Sequence, residues 1–280
     1  MSHPVSHATT QPAQKAEWTP ARRALVIAGA AIIAATWLYF VLVHPADWDQ
    51  VTGSGAGIAL LAGYGIGTAL LLAAVIPVLP ARTLGLIPIA IIINSVVGEI
   101  VGSIGLPLYL DSVGTVLVAA LAGPVAGMAT GALNNVVWGL LNPAALPFAA
   151  GAALVGWLAG VFIHRFNAFR NIGTVIGFGI VLGIVGGMVA APVAAYVYGG
   201  TAGVGTGALV SLFREMGGSL IASVTTQAFI SDPVDKVIVM LVAYATVNAL
   251  PKRTVAAFAP QTGNQVNAAQ ATANTTTTTA

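Results

Sequence analysis

Long apolar runs separated by short polar punctuation organise this chain. Ala24 to Val43 is charge-free behind Arg22 and Arg23, and a run of that length predicts a membrane-spanning helix. A second run covers about Gly53 to Leu79 and stops at Pro80 and Arg82; a third covers about Leu84 to Ile104. From Ser112 to Asn142 no residue is charged, but Gly123-Pro124 interrupts the run, so two helices joined by a tight turn are expected. Leu146 to Ile163 and Asn171 to Val197 predict two more spans, the second rich in Gly. Tyr198 to Asp235 reads as an outer excursion, and Val237 to Leu250 as the last span.

Within the central run a finer period appears. Gly127, Gly131, Asn135 and Gly139 recur every four positions, and Asn134, Trp138 and Asn142 recur with the same step on the adjoining stripe. Small residues at that spacing let helix backbones approach closely in lipid. The pattern predicts a packed seam with a polar stripe turned away from lipid. The extended piece Leu106 to Asp111 precedes it, and Asp111 is placed to cap a helix starting at Ser112, with solute contact as the alternative.

Composition agrees with the periodicity. Of 280 residues, 57% are hydrophobic and only 6% charged, where a soluble domain carries roughly a quarter charged residues. The chain is therefore expected to be an all-α integral membrane protein. Ten basic against eight acidic residues do not point to nucleic acid; their placement matters more. If Ser112 to Asn142 crosses twice, Arg22, Arg23, Arg82, Arg165, Arg170, Lys252 and Arg253 all fall on one side, as the positive-inside rule requires. The short half, Ser112 to Ala122, then spans only about 16 Å and needs a protein-buried or locally thin path. Eight crossings with both termini cytoplasmic follow, at the cytoplasmic (plasma) membrane. The expected divisions are a disordered tail over 1–20, a pair of helices over 21–82, a six-helix unit over 83–254 and a disordered tail over 255–280.

Chemistry is confined to a few positions. Glu99 stands in the outer third of its helix, which also carries Asn94; a carboxylate in hydrocarbon must face a cavity, pair, or be protonated. Glu99 reads as a ligand or cation contact, or else as a protonated carboxyl bonded to a neighbouring helix or a side chain reaching the outer interface; Asn94 is a further solute candidate. Asn134, Asn135 and Trp138 lie at a similar depth and offer amide groups and a ring face for a small solute, with interhelical bonding and a belt position as alternatives. Arg214 and Glu215 are expected to form or join an ion pair, with Arg214 a further solute candidate. Asp232 is placed to cap a helix beginning at Pro233, and Asp235 and Lys236 to anchor its outer end. With no cysteine there is no disulfide framework and no thiolate. No phosphate-binding loop, HExxH or Ser/His/Asp set occurs, so neither enzymatic activity nor a cofactor or metal is expected.

These residues carry a family resemblance. PLYLDSVGTVLVAALAGPVAGMATGALNN, NPAALPF and SDPVDK followed by a helix ending LPKR resemble the substrate-binding S components of energy-coupling factor (ECF) importers. The likeness covers about Leu84 to Arg253. It implies a six-helix S-component bundle that captures a vitamin or other micronutrient in its outer half. Leu106 to Asp111 would help to close the site, and a separate transmembrane coupling subunit and cytoplasmic ATPases would supply energy. The family docks that subunit through an Ala-x-x-x-Ala surface; here Ala90 is followed four residues on by Asn94, so one alanine matches. Gly123 with Gly127, or Gly173 with Gly177, are alternative docking faces. The two N-terminal helices are additional to the usual unit. The pattern also resembles membrane sensor domains related to this fold, and an ion-coupled secondary transporter using Glu99 is a third reading.

Overall fold

A computed structural model describes residues 18–43, 54–200 and 203–260. All regular structure among them is helical: α1 Pro20–Val43, α2 Gly55–Val75, α3 Ala81–Ser103, α4 Val113–Ala122, α5 Pro124–Leu141, α6 Ala149–Phe166, α7 Ile172–Tyr198, α8 Val204–Glu215, α9 Leu220–Ala249 and α10 Lys252–Phe258. Five of these, some with a short 3-10 extension, are long and apolar enough to cross a membrane, and α9 with α10 makes a sixth as a bent pair. The acidic loop expected at His44 to Gln50 lies outside the described residues, as does most of each tail.

Close helix contacts are made where glycine removes a side chain. On α5, a Cβ at Gly127 would collide with Ala119 and the Gly156 carbonyl, and one at Gly131 with the Ala152 carbonyl. Gly139 meets Leu146, and Asn135 donates to the Ala145 carbonyl at 2.8 Å. The four-residue repeat thus packs on α6 and on the 3-10 turn Pro143–Phe148 that leads into it. A second seam joins α7 to α9, where Gly179 abuts Val237, Gly183 abuts Pro233 and Gly187 abuts Asp232. Gly123, at φ 93°, turns the chain between α4 and α5, and Pro124 supplies the first residue of the next helix.

α4 is short because it is interior. Gly114 lies against the Ala90 backbone of α3, and Val116, Val118 and Ala119 are fully buried. The protein-buried path required of an approximately 16 Å helix is the one observed. The N-terminal pair packs directly on the helices that follow: fully buried Tyr64 of α2 donates to the Pro147 carbonyl at 3.3 Å, and Trp37 of α1 to the Val189 carbonyl at 3.1 Å.

Alternation of the helices sorts the molecule into two ends. One collects Arg82, Arg165, Arg170, Lys252 and Arg253, tied together by the Thr83 hydroxyl bonding the Phe258 carbonyl at 2.6 Å and by His164 with the Ala119 carbonyl at 3.0 Å. At the other, Tyr198 donates to the Ala144 carbonyl at 2.6 Å and the Tyr109 and Thr206 hydroxyls are hydrogen-bonded at 3.0 Å.

Three expectations change. The last helix begins at Leu220 rather than Val237, with Pro233 inside it, so Asp232 caps nothing and the excursion after Tyr198 holds α8 and the first half of α9. Pro233 removes one N–H bond to the preceding turn, a defect membrane helices tolerate where neighbouring groups compensate. Residues 252–258 form α10, so the tail expected from 255 starts no earlier than the end of that helix. Ala90 and Gly127 are buried by this chain's own helices, which removes them as docking surfaces; Gly173 and Gly177 are exposed and Gly123 is half-buried.

Candidate functional site

A cavity of about 410 Å³ lies toward the end of the bundle where α3 and α5 finish. Its walls come from α3, the 104–112 loop, α5, the 142–148 stretch, α6, α7, the start of α8 and α9. Six of the seven solute-contact candidates line it: Asn94, Glu99, Asp111, Asn134, Asn135 and Trp138.

Asn94 is fully buried and both ends of its amide are engaged. Its Oδ1 accepts from the Gly114 backbone N–H at 2.7 Å and its Nδ2 donates to Thr115 Oγ1 at 2.8 Å. Gly114 is in the first turn of α4, where helix geometry leaves N–H groups without partners. α3 therefore caps α4 from the side. This corrects the expectation for Asp111: the N-cap residue is Ser112, without a side-chain capping bond, and the Asp111 carboxylate turns instead to Lys236 at 3.5 Å.

The loop before α4 is held by α9. Asp235, 1% exposed, accepts from the backbone N–H groups of Tyr109 at 2.8 Å and Leu110 at 2.7 Å through one oxygen, while its other oxygen meets Lys236 Nζ at 2.5 Å. Irregular backbone within an apolar bundle is tolerated where protein groups satisfy its polar atoms, and Asp235 does so here at Leu110, whose φ of 50° is left-handed. Gly98 lets α3 approach the Asp111 backbone, and Gly205 of α8 packs on the Leu106 carbonyl. The Asp111 side chain remains accessible from the cavity. The Tyr109 hydroxyl is hydrogen-bonded to Thr206.

On the opposite wall, the Asn135 amide faces the Ala145 carbonyl, so its Oδ1 is left to accept from Asn134 Nδ2 at 3.1 Å. That chain assigns the Asn134 amide orientation and leaves its Oδ1, buried and without a hydrogen bond, in the cavity wall. Trp138 stands one turn beyond Asn134. Glu99, at the exposed end of α3, makes no hydrogen bond or ion pair among the described residues.

Arg214 is not part of this arrangement. It is exposed near the end of α8, away from the cavity lining, and forms no ion pair with Glu215 among the described residues. The groups that sequence reasoning missed are on α9. Asp232 and Lys236 line the cavity with Gln227, and Asp235 stands behind them. Reading a helix start at Pro233 made these residues terminal. Asp232 and Lys236 are four apart, and an uninterrupted helix places them on one face; that spacing was the available signal.

Among the described residues no three His, Cys, Asp or Glu side chains are grouped as metal ligands. No family model, curated protein or solved structure matches the chain.

Proposed function

We propose that this chain is the membrane-embedded solute-binding subunit of an ATP-driven importer of the ECF type, capturing a vitamin or another small micronutrient from outside. The observation that carries the reading is a small-molecule-sized cavity with convergent polar groups, placed at the end of the bundle opposite the Arg82, Arg165, Arg170, Lys252 and Arg253 cluster. The positive-inside rule makes that cluster cytoplasmic, so the cavity faces outward in a cytoplasmic-membrane protein with eight crossings and both termini inside. α4 crosses as a buried half-length helix continued by the 104–112 loop. Solute entry would order that loop over the site. A coupling subunit and two cytoplasmic ATPases would then reorient the bundle, docking on a surface that includes exposed Gly173 and Gly177 rather than Ala90 or Gly127.

Purification in mild detergent, with mass spectrometry of co-purifying proteins and retained small molecules, tests this. A coupling subunit with an ATPase pair and a retained metabolite is the expected result. A signalling partner without ATPases would replace the importer with a ligand sensor. Solute accumulation by the purified chain alone in vesicles, driven by pH or Na⁺, would replace it with an ion-coupled carrier.

A further inference from the structure

We infer that the cavity takes a small organic cation bearing N–H donors, an amine or amidine rather than a carboxylate or phosphate ester. The inference rests on the solute-binding reading and narrows it to a class of ligand.

The charges of the wall are unequal. Glu99, Asp111 and Asp232 line the cavity, with Asp235 buried behind them, and the one ammonium among these groups is Lys236. Lys236 is already held by Asp235 at 2.5 Å and Asp111 at 3.5 Å, so an anionic solute would find it engaged. Glu99 and Asp232 have neither a hydrogen bond nor an ion pair among the described residues. A wall with more carboxylates than ammonium groups favours a cation as its counter-charge.

A separate observation on the opposite wall points the same way. Asn134, 6% exposed, has its amide orientation assigned through Asn135 and the Ala145 carbonyl, and its unpartnered atom is the oxygen. A buried acceptor without a donor is costly, and a ligand N–H removes that cost. Trp138 also belongs to the lining, and aromatic rings attract cations. The acidic groups are not gathered as metal ligands, so the charge is carried by an organic group.

Three indoles of similar size and different charge test the assignment: tryptamine, tryptophol and indole-3-acetate. Each is titrated against the full chain in nanodiscs, with binding read by equilibrium dialysis and by thermal shift. Tryptamine should bind, tryptophol should bind at least about tenfold more weakly, and indole-3-acetate should not bind, the ratio expected for losing one charge-assisted contact. Asp232→Asn and Glu99→Gln should each weaken tryptamine by about tenfold while leaving the melting temperature of the unliganded protein unchanged. Equal or tighter binding of tryptophol or indole-3-acetate overturns the cation assignment and leaves the solute-binding reading standing. Binding of none of the three also overturns it. The solute-binding reading falls separately, when the purified protein retains no small molecule and no importer subunits.

Discussion

Asn94 and Glu99 share α3 and both line the cavity, yet the two residues behave differently. Asn94 is fully buried and bonds Gly114 and Thr115 of α4. Asn94→Ala leaves two buried α4 groups without a partner and should lower stability by about 1–3 kcal/mol, read as a fall in melting temperature; an unchanged value would remove the side cap. Glu99 bonds nothing among the described residues, so Glu99→Gln should weaken solute retention and leave melting unaltered. Unchanged retention would take Glu99 out of the site. Glu99 was legible in the sequence because a lone carboxylate in an apolar run needs a reason. Asn94 was legible only as a polar residue, because nothing local says which helix its amide will meet.

At the scale of elements, glycine and proline carry most of the information. The Gly127, Gly131, Gly139 repeat predicted a close helix seam without naming its partner, which is α6 with the 3-10 turn before it. Gly131→Leu forces a side chain into the Ala152 backbone and should cost about 1–3 kcal/mol or prevent folding. Gly177→Leu, at an exposed position with open space above it, should leave melting unchanged and, under the docking proposal, impair co-purification of the coupling subunit. Pro233 misled the boundary of α9, since proline marks a helix start as readily as it sits within a membrane helix. The loop pinned by Asp235 provides a further test: Asp235→Ala should raise hydrogen exchange at the Tyr109 and Leu110 amides by about tenfold or more, the loss expected for charge-assisted hydrogen bonds. Unaltered exchange there would mean that other groups hold the loop.

For the whole molecule, the arrangement of charge makes the orientation testable. The chain has no native cysteine, so single cysteines report cleanly. Cysteines at exposed Leu106 and Asn142 should react with an impermeant maleimide applied outside intact cells, and one at exposed Asn167 should react only after the membrane is opened. The reverse pattern would put the cavity on the cytoplasmic side and remove the capture proposal.

Hydropathy, charge placement and four-residue glycine spacing are properties of the chain itself, and they determined a helical, multi-pass membrane character, the turn at Gly123-Pro124 and a close seam on α5. They also singled out six residues that the fold brings to one cavity. The tertiary structure alone decided that Asp111 pairs with Lys236, that Asp235 holds the 104–112 loop and that Asn94 caps α4. Those contacts join residues 20 to 126 positions apart. A sequence pattern reports which face of a helix a residue occupies; it does not report which neighbour that face meets. Where apolar helices pack through small residues, several arrangements bury similar surface, and the pairing of a few buried polar groups selects among them.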